Sequence, residues 1–393
     1  MKFFPRACLV ICGVLVFILG AGCEVPRPRP TAENLPTEPE EATPKRATTG
    51  PVTGVLDPGA TQLDLEGQGL KVLWRQNLGQ VAEGQKKLRR IYLAGDRVVA
   101  ETPDGTLFYF NARSGVWTAS TALKGELWHS PVLHGDRLYA LGAQGLLVID
   151  AVTGNIQRQM PPKIPVSARP VYYDGSLILG AGNGKIVRFM LRNGTHVWAV
   201  SALGRIHHRP RLSGGTLYAT GYKGRLVSGS LQTGQFFWTW KPREPSALVT
   251  GPELAGDFLY VGDNRGYLYR LLADDGIVTG TYPCGAPIDA PPVAVDDRVL
   301  VFTYKSEMLC LRAADELTVA WHHPTATELL ARGKGGLYLI TRDDTVACVE
   351  TDSGTQKWEL DLPENCQTTS NPVTPTFYVA NPSGDIIAVT ELD

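Results

Sequence analysis

The chain has 393 residues, with 38 Lys and Arg against 39 Asp and Glu, a formal net charge of −1 and a pI near 6.7. That balance excludes a general electrostatic pull toward nucleic acid or acidic lipid. Its two basic clusters, residues 86–90 (KKLRR) and 205–211 (RIHHRPR), are modest and read as solvated loop faces or partner contacts.

At the N-terminus, Lys2 and Arg6 precede an apolar run over residues 7–22 that ends at Cys23. A charged start, a short apolar core and small residues before a cut mark a secretory signal. The run of 16 residues with three glycines is short for a membrane span, which needs ~20. A Cys after Gly-Ala-Gly resembles a bacterial lipobox, although Gly20 stands where Leu is usual and Leu19 lies one place early. Residues 1–22 are thus expected to be a lipoprotein signal peptide and Cys23 the lipidated residue. Ordinary signal cleavage or an uncleaved anchor is the alternative. Residues 23–70 are expected to be a lipid-anchored disordered linker, because 24–60 are rich in Pro, Glu and Thr with hardly an aromatic, a composition that cannot bury enough surface to fold.

From there a strand–turn–strand unit recurs eight times. Its mark, a tight turn before an apolar strand, falls at Gly105, Gly145, Gly184, Gly224, Gly266, Ser306, Asp344 and Gly384, at intervals of 38–42 residues. Two residues past each mark stands Leu107, Leu147, Ile186, Leu226, Leu268, Met308, Val346 or Ile386. A fixed period in this range signals units that bury their faces only against neighbours. Turn residues such as those of 94–98 and 134–138, then the marked turn, then Gly115, Gly154, Gly194, Gly234, Gly276 and Gly354 divide each unit into four short strands. No sustained helical period appears; residues 80–90 allow one short helix. An orphan strand over 72–78 resembles the fourth strands around Trp198 and Trp358, while the eighth unit has only three strands of its own. The orphan strand would complete that unit and close the ring. Residues 71–393 are therefore expected to form an all-β, eight-bladed β-propeller of four-stranded antiparallel blades.

The third turns carry a family likeness. Residues 148–155 (VIDAVTGN), 190–198 (MLRNGTHVW), 230–238 (SLQTGQFFW) and 350–358 (ETDSGTQKW) resemble the repeat of quinoprotein-type propellers, with its Asp-Ala-x-Thr-Gly core and a Trp four residues on. Trp198, Trp238 and Trp358 hold that spacing; Trp321 lies five after Glu316 and Trp117 two after Gly115. The resemblance implies that Trp74, Trp117, Trp198, Trp238, Trp321 and Trp358 dock each blade on the next. The repeat's usual Asp survives only as Asp150, with Asn111 close to it. Within this superfamily, a lipoprotein signal joined to eight blades most resembles the BamB family of outer-membrane assembly lipoproteins.

Residues with chemistry are sparse. Cys284, Cys310, Cys348 and Cys366 form an even set in the expected oxidising compartment. Cys310 and Cys348, each four past its mark, occupy equivalent places on adjacent blades, too far apart for a bridge; four small buried hydrophobes are the simpler expectation. His207–His208 and His322–His323 are neighbours on extended chain and point oppositely, so neither pair chelates a metal. No catalytic, cofactor or metal set is identified. The resemblance implies a non-catalytic scaffold in outer-membrane β-barrel assembly, lipid-anchored in the envelope and facing the periplasm. Its partners would be envelope proteins, with residues 205–211 and 242–251 as candidate contacts. A stand-alone propeller binding another envelope protein or a carbohydrate, and a quinone-dependent dehydrogenase with Ca²⁺ at the ring centre, are the other readings.

Overall fold

The computed structural model describes residues 45–46, 54–61, 63–82, 86–201, 204–305, 307–313, 316–369, 371 and 373–392. The expected signal peptide, Cys23 and most of the expected linker lie outside these residues, as does the mark at Ser306.

Eight antiparallel sheets follow one another along the chain. In blade 1, strands Arg90–Ala94, Arg97–Glu101, Thr106–Asn111 and Trp117–Ala122 pair in sequence order. Blades 2 to 7 repeat the order over 132–160, 171–201, 211–240, 253–283, 293–323 and 326–361. Blade 8 takes three strands from 367–391 and its fourth, Leu70–Asn77, from the other end of the chain. That strand pairs antiparallel with Asp385–Glu391 from Leu70↔Glu391 to Asn77↔Asp385. The ring closes as the strand count requires.

Each blade is held by apolar side chains shared with its neighbour. Between blades 8 and 1, Trp74, Ile386 and Tyr378 pack with Phe108, Phe110 and Val98. Between blades 2 and 3, Leu146 and Val148 meet Leu177, Val187 and Phe189. First strands touch between blades 2 and 3, 5 and 6, and 8 and 1, and the Leu93 amide of blade 1 donates to Thr369 Oγ1 of blade 8. First strands are thus innermost and fourth strands outermost.

The segment before the ring departs from the expected linker, which was to run to residue 70. Leu56 and Leu65 are buried among Trp358, Phe377 and Val389. Gly54–Val55 adds a parallel strand to the outer edge of blade 7, and Lys45–Arg46 does so on blade 6. Leu56 and Leu65, with half-buried Leu63 packed against the same cluster, dock the stretch, since each buried Leu contributes about 1.5–3 kcal/mol.

Candidate interaction face

One register feature recurs in all eight blades and decides how they meet. Where the fourth strand passes the third, a bulge follows a facing pair: Tyr109↔Ala119, Val148↔Arg158, Arg188↔Trp198, Ser228↔Trp238, Arg270↔Gly280, Cys310↔Trp321, Cys348↔Trp358 and, in the closing blade, Ala388↔Trp74. Opposite four of the five tryptophans sits a small residue. Opposite Ala119 and Gly280 sits a large one. In six of the eight pairs one large side chain faces a small one, on either strand; Val148↔Arg158 and Arg188↔Trp198 are the exceptions.

In six blades the larger partner, or Trp198 of the Arg188–Trp198 pair, donates to a carbonyl of the next blade. Indole Nε1 donates from Trp74 to Ala112 O (2.9 Å), Trp198 to Leu231 O (3.0 Å), Trp238 to Ala273 O (3.1 Å) and Trp321 to Thr351 O (2.9 Å). These acceptors lie three residues before Gly115, Gly234, Gly276 and Gly354, whose missing side chains leave room for the indole faces. Arg158 and Arg270, which sequence reading passed over, donate to the equivalent carbonyls Leu191 O (3.1 Å) and Ala313 O (3.2 Å). Trp358 is buried against Tyr338, with ring centroids 5.6 Å apart.

Trp117 is placed differently from the resemblance's expectation. It is 43% exposed, and its Nε1 donates to Ala119 O of its own strand. Its spacing of two past Gly115 puts Ala119 in the docking place. There Tyr109 fills the volume, donating to Thr121 Oγ1, which in turn donates to Gly154 O of blade 2.

The repeat's Asp keeps its task under substitution. Asp150 Oδ1 accepts the amides of Val152 and Thr153, and these bonds hold its carboxyl below the ordinary value. Asn111 Oδ1 and Ser230 Oγ accept the equivalent pairs in their blades. Any short side-chain acceptor closes this turn, which explains the drift in sequence.

The cysteines are free thiols, Cys284, Cys310 and Cys348 buried and Cys366 half-buried. Burial pushes the first three up to about 12 and Cys366 to about 11. They are poor nucleophiles.

Both charged segments marked in the sequence meet on the face carrying the second-to-third-strand turns. Residues 205–211 enter blade 4 and residues 242–251 enter blade 5, and the turn at 221–224 lies between them. Tyr222 N donates to Arg205 O (2.7 Å) and Lys223 N to Leu248 O (2.9 Å). His208 Nε2 donates to Val249 O (2.8 Å), and its side chain packs on Gly251. The fold thus joins two segments that sequence reading marked separately. At their centre Tyr222 is 44% exposed, edge-on to His207 (5.7 Å) and beside the Lys223 ammonium (5.5 Å). Arg205, whose carbonyl accepts the Tyr222 amide, is exposed beside it. An exposed aromatic flanked by two cations has the composition of a binding hot spot for an acidic surface.

A model described as outer membrane protein assembly factor BamB matches residues 64–282 and 283–393. The chain belongs to that family. The BamB relative from Shewanella oneidensis is 22% identical over 283 residues, covering 58% of this chain and 72% of its own. The one from Burkholderia pseudomallei is 34% identical over 182 residues, 46% of each chain. The solved BamB of Moraxella catarrhalis superposes with a TM-score of 0.65 at 15% identity, over 82% of this chain and 97% of that one. A quinohemoprotein alcohol dehydrogenase from Comamonas testosteroni superposes at 0.59 and 11% identity, over 86% and 78%, a likeness of fold alone. Arg169, Arg209 and Arg211, on or just before the innermost strands of blades 3 and 4, would repel a Ca²⁺ placed beside them.

Proposed function

We propose that this BamB-family propeller is a non-catalytic scaffold in outer-membrane β-barrel assembly. A lipid on Cys23 anchors it in the envelope, facing the periplasm, and the face around Tyr222 meets a protein of the assembly apparatus. The observation that carries the reading is the family match across all eight blades. The aromatic and basic face supports it, because a rigid ring presents Tyr222, Arg205 and Lys223 with little entropy left to lose on binding.

Affinity purification of the lipidated full chain tests the proposal. Components of the barrel-assembly apparatus are expected to co-purify, and replacing Arg205, Tyr222 and Lys223 together with alanine is expected to lower their recovery at least about tenfold, as the loss of a hot spot does. Recovery of none of them with the unaltered chain contradicts it.

A further inference from the structure

The axial end of blades 3 to 5 holds a charge pattern that the outer face does not explain. The residue before the proline that leads into each first strand is Ser130 in blade 2, Arg169 in blade 3, Arg209 in blade 4, Gly251 in blade 5 and Pro291 in blade 6. Arg169 and Arg209 therefore occupy equivalent places on adjacent blades, against the ring axis. Arg211 follows on the first strand of blade 4, and Glu253 takes the equivalent place in blade 5.

Three guanidiniums face one carboxylate. Arg211 pairs with Glu253 through Nη2, while its Nε donates to Pro252 O at 3.2 Å. Among the described residues neither Arg169 nor Arg209 makes an ion pair, Glu253 offsets Arg209 only in part, and the buried Nε of Arg169 has no hydrogen-bond partner. On the adjoining blade the buried Nε2 of His129 is also without a partner. The groups are close enough to disfavour one another's charge. Burial lowers Arg209 to about 10, helped by Arg169 and Arg211; burial and Arg211 lower Arg169; burial and Arg169 lower His129. The Arg209 side chain is nonetheless accessible to solvent. Farther round the axis the first strands of blades 6 and 7 offer an apolar recess instead, about 280 Å³ lined by Ala290, Pro291, Val293 and Leu329.

Crowded cations with idle donors, surrounded by low-dielectric walls, attract a counter-ion. Guanidinium forks match planar or tetrahedral oxygen pairs and bind them bidentately. We propose that Arg169, Arg209 and Arg211 form an oxyanion-binding site at the ring axis, taking a carboxylate or phosphate group. It stands independently of the partner assigned to the outer face.

Thermal unfolding and titration calorimetry of the full chain test this, with inorganic phosphate and with citrate as probes against sodium chloride of equal ionic strength. At least one probe is expected to raise the midpoint saturably by about 3 °C or more, and whichever binds more tightly identifies the source chemistry. Replacing both side chains, Arg169→Gln and Arg209→Gln, is expected to weaken binding at least tenfold while leaving the anion-free midpoint unchanged or raised, since a repulsion is relieved. Arg209→Lys, which keeps the charge but loses the fork, should fall between. If the double variant does not fold, Arg209→Gln alone, at a solvent-accessible position, decides the matter. An equal effect of the probes on unaltered and variant protein, or no effect of either probe on the unaltered chain, overturns the site.

Discussion

Gly354 and Gly135 both lie in the left-handed region, at φ +69° and +57°, yet they carry different loads. A Cβ at Gly354 would stand 2.5 Å from the Trp321 ring, whereas one at Gly135 meets nothing within 4 Å. Gly354→Ala is therefore expected to cost about 2–4 kcal/mol, combining backbone strain with overpacking, and Gly135→Ala about 1–2; chemical denaturation of both measures the difference. His323 supplies a pH dependence. It is fully buried, its Nδ1 accepts the amides of Thr325 (3.3 Å) and Ala326 (3.1 Å), and burial followed by the neighbouring His322 lowers its pKa to about 4. The folded value lies below the unfolded one of about 6.5, so the unfolded chain takes the proton first. Its stabilising contribution is complete above pH ~6.5 and is lost as pH falls toward ~4, an effect of roughly 3 kcal/mol. His323→Asn, which keeps an acceptor, is expected to flatten the stability profile across that window; an unchanged profile would contradict the assignment.

Between the third and fourth strands, a large side chain facing a small one recurs in six blades while the residue types, and the strand carrying the large one, change. Cys310 faces Trp321 in blade 6, as Tyr109 faces Ala119 in blade 1. Cys310→Tyr alone is expected to overpack by about 1–3 kcal/mol and Trp321→Ala alone to cost about 3–5. Together they rebuild the blade 1 pair, so the double variant should be more stable than the sum by at least about 1 kcal/mol. A double-mutant cycle reads this directly, and strict additivity would refute it. The same division of volume sets what sequence could reveal. Glycine-plus-four spacing marked Trp198, Trp238 and Trp358 because an indole is a conspicuous letter. Arg158 and Arg270 were illegible: one looks like a surface cation, and the other sits on the third strand rather than the fourth. Trp117 misled because proximity to Gly115 resembles the motif while its register differs by two.

At the scale of the whole ring, blade number and closure were legible, since a period near 40 and a missing final strand are both countable. The docked approach was not, because Leu56 and Leu65 are too few to outweigh the prolines around them in composition. The interaction face was half legible: charge and proline marked 205–211 and 242–251, but only folding places them against each other with Tyr222 between. The axial arginines needed the ring itself, which brings positions 40 residues apart onto adjacent blades. The central claim is that this face of a BamB-family propeller holds a protein of the barrel-assembly apparatus. Photo-crosslinking in cells from a probe at Tyr222, with a second probe at Gly135 on a first-to-second-strand turn, tests it most directly. Capture of an assembly-apparatus protein from position 222 and not from 135 is the expected result. Capture of such a protein only from 135, or of none from either position, would contradict the account.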